Sequence, residues 1–397
     1  MVPAIRESFN RNFSREKYAN LLSDLNHKFE GAIDFRIAET PIFIPKDFTG
    51  QMLDACHYIL DFIDGPGFRA LTQRAIPPEF HIPHENTYAD CIVFDFGVCL
   101  NEKGTPEPRL IEMQGFPSLF GFQLYYTQIL QKNFPIPQGY SNYLNGFTDQ
   151  SYLDLLRRVI LKDHPSENVI LLEIKPDTQK TRIDFYCTAD YLNIPVVCLT
   201  DLIAEGNHLY YIKEGKKILV KRIYNRIIFD ELSALKESLG PTVDLTQPFE
   251  VDWIPHPHWF YRISKFTMPF LHHPLIPPTQ FLNEINPFPD HLEEYVLKPL
   301  FSFAGQGVIL DVTREDLQRI KDPQNWILMR KVRYADIIKT PDIPAKAEIR
   351  LFFFREQADQ PYIAVNNLAR LSKGKMIGVR YNKDKEWVGG SVCFFEQ

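Results

Sequence analysis

The sequence is poor in the features that mark several large protein classes. No apolar run approaches the ~18 residues that a transmembrane helix needs. The opening MVPAIRESFNRNFSREKY lacks the apolar stretch of a signal peptide, so the expected location is cytoplasmic. A formal net charge of -6 argues against the broad basic footprint of a nucleic-acid binder and leaves room only for a local cationic pocket. The six cysteines (Cys56, Cys91, Cys99, Cys187, Cys198 and Cys393) form no C-x-x-C pair. They are expected as reduced thiols packed like small hydrophobes. His256 and His258 in HPHWF, and His272 and His273 in LHHP, fit no common zinc spacing and have no nearby cysteine partners. There is no repeat, no low-complexity tract and no G-x-S-x-G nucleophile elbow.

What is present describes a well-packed globular chain. At 397 residues it has room for two or three domains, and 45% hydrophobic with 24% charged residues makes disorder the wrong default. Thirty-one phenylalanines point to a dense interior and sheet-rich domains. Residues 1 to about 75 read as mainly helical, with QMLDACHYILDFI returning its apolar positions at helical spacing. CIVFDFGVCL and RLIEMQGF, separated by the turn NEKGTPEP, read as a β-hairpin, and FGFQLYYTQILQKNF as a helix. From about 150 to 250 the elements alternate. NVILLEI, TRIDFYCTADYLN and IPVVCLT predict strand, helix and strand, hence a βαβ unit in a parallel sheet. HLYYI and ILVKRIYNR predict a hairpin and DELSALKES a helix, while QPFEVDWIPHPHWF is expected to connect domains. Beyond residue 262 strands dominate: EYVLKPLF, GVILDV, NWILMRKV, AEIRLFFF, PYIAVNNLARLS and VGGSVCFF, with TREDLQRI a helix opening at a Thr cap.

One ordered set of residues carries chemistry. EYVLKPLFSFAGQGVIL delivers Lys298 on a strand, followed by a loop with Ala304, Gly305, Gln306 and Gly307. Small residues let backbone N–H groups approach phosphate oxygens, and a lysine at the strand end neutralises their charge. It is not a P-loop, because no Lys-Ser or Lys-Thr follows the glycines. AEIRLFFF places Glu348 and Arg350 on one side of a strand, since side chains alternate with period two. Arg370 in NNLARLSKG, Asn382 in RYNKDKEW and the Gly389-Gly390 pair follow. In the front half, VFDFG and LIEMQGFPS place Asp95, Glu112 and Gln114 on the hairpin, a set of hard oxygen donors suited to Mg²⁺.

Strand-Lys-Pro, Gly loop, E-x-R strand, Arg strand, Asn and Gly-Gly resembles the order of the ATP-grasp superfamily and its carboxylate–amine ligases. An acidic hairpin that comes first and a lysine loop that comes last is similar to the circularly permuted ATP-grasp of eukaryotic glutathione synthetase and glutathionylspermidine synthetase. Ser264-Lys265, ahead of a Pro-Pro-Thr loop, and Tyr224 with Arg226 in ILVKRIYNR resemble further positions of those families. The likeness covers roughly residues 88–125 and 168–397. It implies an α+β protein with an α/β subdomain: a permuted ATP-grasp fold with a Rossmann-like substrate domain ahead of it. The implied segments are 1–150 (helical start plus acidic hairpin), 151–255 (substrate domain) and 256–397 (lysine, Gly-loop and arginine strands).

The resemblance implies ATP and Mg²⁺ as cofactors and a small-molecule carboxylate and amine as substrates, with no nucleic-acid or membrane partner. Lys265, Lys298, Gly305, Gln306 and Gly307 would hold the nucleotide and Asp95, Glu112 and Gln114 the metal. Arg350, Arg370 and Asn382 would serve the acyl-phosphate chemistry. Departures stand at Gln114, where the families usually carry Asn; at Val93, where glutathione synthetase has Arg; at Ser302, where related chains supply a Glu; and at Arg330, where an acidic residue is common. They speak against glutathione synthesis. They also keep open a catalytically inactive relative that binds a nucleotide or partner, and a phosphoryl transferase is a third reading.

Overall fold

A computed structural model describes residues 2–397 apart from 302–304, 376, 379–381 and 383. Helices cover α1 (Pro3–Asn12), α2 (Arg15–Lys28), α3 (Lys46–Asp64), α4 (Phe68–Leu71), α5 (Phe120–Asn133), α6 (Asp149–Leu161), α7 (Arg182–Leu192), α8 (Phe229–Leu239), α9 (His258–Arg262) and α10 (Arg314–Arg319). Thr148 and Thr313 open α6 and α10 through capping boxes, which satisfy otherwise orphaned N–H groups of the first turn.

The sheet that organises the molecule is antiparallel and five-stranded, in the order β17 (Gly389–Ser391), β16 (Ile363–Ser372), β15 (Lys346–Phe354), β2 (Cys91–Leu100), β3 (Pro106–Gln114). It therefore joins the hairpin of the front half to the arginine strands of the back half. Alternation gives it two different faces. Phe94, Phe96, Ile349, Leu351 and Phe353 form one core with Met52, Ala55, Ile59 and Ile63 of α3. Those α3 positions recur every three or four residues, as an amphipathic helix requires. On the opposite face Val93, Phe352 and Phe354 pack with Phe120 of α5 and Tyr152 of α6. Asp95, Glu348 and Arg350 continue along that same face.

Four smaller sheets surround this one. β11 (Asp252–Ile254), β10 (Arg222–Asn225), β5 (Val169–Glu173) and β6 (Val196–Cys198) are all parallel, with α7 crossing between β5 and β6. β7 (Ile203–Glu205), β8 (His208–Lys213) and β9 (Lys216–Val220) form an antiparallel meander. β12 (Thr279–Phe281), β14 (Trp326–Arg330) and β13 (Tyr295–Pro299) form the sheet that carries Lys298. β1 (Ile42–Ile44), β18 (Cys393–Glu396) and β4 (Tyr140–Ser141) tie both ends of the chain together.

Several elements differ from the sequence expectation, each for a local reason. ILVKRIYNR is two strands: Lys221 N–H reaches the Asn168 carbonyl, and the chain passes there from the meander into the parallel sheet. DWI, expected in a connector, is the strand β11 at that sheet's edge. GVILDV is not a strand: Ile309 alone bridges Leu297 before the chain runs into the Thr313 cap. VGGSVCFF divides because the Asn367 side chain bonds both the N–H and the carbonyl of Cys393, at 2.7 and 3.0 Å. That draws the last strand out of the central sheet and onto β1, itself a strand within a stretch that reads as helical. Ser302 and Ala304 lie outside the described residues.

Gly389 and Gly390 test this arrangement. Gly389 has φ +124° and a Cβ there would collide with the Arg36 carbonyl oxygen, whereas a Cβ on Gly390 would meet the Phe35 ring at an ordinary 3.5 Å. Gly389→Ala should cost about 2–4 kcal/mol from backbone strain and the clash. Gly390→Ala should stay within about 1 kcal/mol. Urea-unfolding midpoints of the two variants check this, and equal losses would refute it.

Candidate functional site

The polar half of the central sheet is built by cross-strand register. Asp95 stands opposite Arg350 on one side and Glu112 on the other, and Glu348 stands opposite Arg370. Residues directly opposite on one face are near enough to pair, and these do. Arg350 grips Asp95 with two parallel bonds, Nε to Oδ1 at 2.6 Å and Nη2 to Oδ2 at 2.5 Å. Arg370 Nη2 adds a third at 3.0 Å and also reaches Glu348 Oε1 at 2.5 Å. Tyr334 donates its hydroxyl to the other oxygen of Glu348. Gly97 makes room for that ring, since a Cβ there would stand 2.8 Å from it.

Burial alone would raise the pKa of Asp95, but the charges of Arg350 and Arg370 outweigh it and hold the carboxyl below the usual range. Glu348 goes the other way: burial dominates, Asp95 adds to it, and the pKa rises despite Arg370. The two carboxylates thus differ in character although they share an arginine.

A register shift at Asp95/Phe96 leaves Ile111 as the extra residue on β3, and bulges re-aim groups of the strand they interrupt. The Ile111 carbonyl accepts from Lys298 Nζ at 3.3 Å. Lys298 is buried on β13, and burial pulls its pKa down to about 8. Glu112, Glu348 and Asp95 oppose that fall, and Lys265 deepens it. Lys265 opens a short 3₁₀ segment behind the Ser264 cap; its pKa also falls through burial, with Glu112 opposing. Glu112 is therefore the carboxylate that both buried lysines feel. Gly305 and Gly307 take left-handed φ of +73° and +74° in the exposed loop after β13. A Cβ on Gly307 would already touch the Pro299 ring at 3.0 Å, so glycine keeps this turn close to the strand carrying Lys298. Gln306 sits exposed between the two glycines.

The oxygen donors divide unequally. Both oxygens of Asp95 accept from guanidinium groups, and those of Glu348 from Arg370 and Tyr334. Glu112 receives the Gln114 amide N–H at 2.9 Å, which leaves the Gln114 carbonyl oxygen beside it. Among the described residues no group of three or more His, Cys, Asp or Glu side chains is placed to hold a metal, so Mg²⁺ here would have to be carried chiefly by phosphates and water. Asn382 is occupied otherwise. Its oxygen accepts from Lys373 N–H at 2.8 Å, and its amide donates to Ser372 Oγ and the Gly378 carbonyl at 2.8 and 2.7 Å. It clasps the loop after β16. Arg330 pairs with Glu294 at 2.6 Å on the surface.

Beside the arginines opens a cavity of about 850 Å³, lined by Gln114, Asn382, Arg226, Arg350 and Arg370 together with a largely apolar wall. Ser118 joins two of these cations: its carbonyl accepts from Arg226 at 2.9 Å and its hydroxyl from Arg350 at 3.2 Å. Ser118 and Tyr334 were invisible to motif reasoning, because each lies in a loop and acts through tertiary contact alone. His256 and His258 have partners within the fold: His258 meets Glu85 at 3.0 Å, Arg262 grips the same carboxylate at 2.6 and 2.9 Å, and His256 lies against the Pro83 carbonyl.

Lys298 gives a signed prediction. Its folded pKa lies below its ordinary 10.5, so below pH 8 the folded chain holds a costly buried cation. Between pH 8 and 10.5 the unfolded chain binds the extra proton, and stability contributed by this group rises with pH. Lys298→Met should be more stable than wild type at pH 7 by about 1–3 kcal/mol, a gap that narrows by pH 9.5. Urea unfolding at both pH values measures it; a gap that does not change with pH contradicts the assignment.

No protein-family model matches the chain, and no curated protein matches it by sequence. Among solved structures it is similar to a glutathione synthetase like-effector (GSS30) from Globodera pallida in apoform. The two superpose with a TM-score of 0.60 over 95% of this chain and 96% of that one, at 11% identity. The mixed α+β architecture is therefore a glutathione synthetase-like fold.

Proposed function

We propose that the chain is an ATP-grasp enzyme of permuted order that activates a carboxylate with ATP and joins it to an amine. The observation that carries this reading is the meeting of two buried lysines with Glu112 at the edge of a sheet whose neighbouring strands supply Arg350 and Arg370. A buried lysine held with a depressed pKa is destabilising by itself and is relieved by a polyanion.

In this reading Lys265 and Lys298 neutralise the nucleotide's phosphates, and the Gly305–Gly307 turn lies over them. Glu112 and Gln114 are the residues that would hold Mg²⁺, which would add charge neutralisation at the phosphates. The acid's carboxylate oxygen attacks that phosphorus and ADP leaves. The amine nitrogen then attacks the acyl carbon, inorganic phosphate leaves, and the amine's surplus proton passes to solvent. Arg350 and Arg370 face the developing negative charge already oriented by Asp95 and Glu348. Preorganised cations of this kind supply much of the stabilisation in acyl and phosphoryl transfer. Asp95 acts as a positioning residue for the two arginines. A second reading, a nucleotide binder without turnover, draws on the same geometry, because Asp95 is engaged by Arg350 and Arg370, and Glu348 by Arg370 and Tyr334.

Thermal unfolding with millimolar Mg·ATP tests binding, since a ligand of the folded state adds RT ln(1 + [L]/Kd) to its stability. The expected result is a rise in Tm of several degrees for wild type and little for Lys298→Met. ADP release stimulated by pooled acids and amines, with hydroxylamine trapping of an acyl phosphate, separates ligase from silent binder. Absence of any nucleotide-dependent shift would sink both readings.

A further inference from the structure

The chain crosses between the sheet that carries Lys298 and the central sheet in two short passages that lie side by side. On the way out, the Leu275 carbonyl still accepts the Leu110 N–H of β3 at 2.9 Å, and β12 begins at Thr279, so Ile276, Pro277 and Pro278 make the passage. On the return, Lys331 N–H bonds the Glu294 carbonyl beside the start of β13 at 2.7 Å. Tyr334 already bridges Cys99 of β2, and Ala335 N–H reaches the Val98 carbonyl at 2.8 Å. Val332 and Arg333 span the interval. The Arg330 N–H joins the two passages by bonding the Pro278 carbonyl at 2.8 Å. Tyr334 thus stands where the chain re-enters the central sheet, and there its hydroxyl donates to Glu348 Oε2.

Glu348 is buried, and its other oxygen holds Arg370 at 2.5 Å. The two arginines of the site therefore have unequal support. Arg350 is fixed by both oxygens of Asp95. Arg370 has one bond to Asp95, at 3.0 Å, and takes its other hold from Glu348. The notch at Gly97 receives the Tyr334 ring, and a phenylalanine ring has the same shape; what the hydroxyl adds is the bond to Glu348. Without it a buried carboxylate oxygen loses its donor. The anion then turns toward the arginine or takes up a proton, and either change re-aims the guanidinium.

We propose that Tyr334 is a positioning residue that, from the crossing between the two sheets, sets the aim of Arg370 through Glu348. It acts on one of the two arginines and not on the other. That Arg370 serves a phosphoryl group rests on the ligase reading; that Tyr334 aims it does not.

Double-mutant cycles on the full chain, by urea unfolding at pH 7, test the link. Tyr334 and Arg370 are joined through Glu348, so Tyr334→Phe with Arg370→Met should raise the unfolding constant by about threefold less than the product of the single effects. Tyr334→Phe with Arg350→Met should match its product within about twofold. Arg→Lys replaces Arg→Met wherever the methionine variant does not fold. Tyr334→Phe is also compared with wild type for Mg·ATP thermal shift and for ADP release with pooled acids and amines. The thermal shift should be retained, because Lys265 and Lys298 are untouched, while ADP release falls by about tenfold. A merely structural tyrosine would lower stability without this split. Additive effects at both arginines, or equal coupling to both, overturn the assignment, as does coupling to Arg370 with ADP release unchanged. The expected coupling in a chain that shows no Mg·ATP shift or no ADP release keeps the link and overturns the ligase reading.

Discussion

Asp95 is the point at which the two halves of this chain are fastened. It lies on a strand of the front half, and the arginines that hold it follow 255 and 275 positions later. Taking three such charges out of water is expensive, and a buried ion pair seldom adds net stability over a well-packed apolar one. Its physical effect is on register. A slip of one residue between β2 and β15 would turn either Asp95 or Arg350 onto the face packed against α3, among Phe94, Ile349 and Met52. Unpaired charges there would cost several kcal/mol each, so the clamp admits one alignment. Once it is set, Glu112 stands across from Asp95, the bulge offers the Ile111 carbonyl, and Lys298 has its partner.

Local periodicity made much of the secondary structure legible. The β2–β3 hairpin, α3, α5, the strand–helix–strand unit around α7 and the Thr313 cap all follow from patterns within a dozen residues. Of the lysine, glycine-loop and arginine residues singled out by their order, Arg350 and Arg370 bond Asp95 and Lys298 feels its charge. What stayed illegible depends on contacts across long separations. The split of VGGSVCFF is decided by the Asn367 side chain, 26 residues earlier, and β1 exists only because β18 arrives beside it. The Asn382 amide bonds Lys373 N–H and the Gly378 carbonyl, contacts that no spacing conveys. Both oxygens of Asp95 accept from guanidinium groups, a fact of cross-strand register that no one-dimensional spacing conveys.

The same sheet holds groups pushed in opposite directions. Burial acts alike on Asp95, Glu348 and Lys298, penalising charge, but their partners differ: two arginines reverse it for Asp95, one leaves it standing for Glu348, and Glu112 only softens it for Lys298. Asp95 is thus compensated from within, while Glu348, Lys298 and Lys265 each keep part of the cost of burial and are strained as charges. The strain lies next to a cavity whose own guanidinium, Arg226, also keeps a donor unused. Lys298 and Arg226 flank Arg350, one through Glu112 and one through Ser118. In the ligase reading proposed above, the lysine side is where the nucleotide's phosphates would lie.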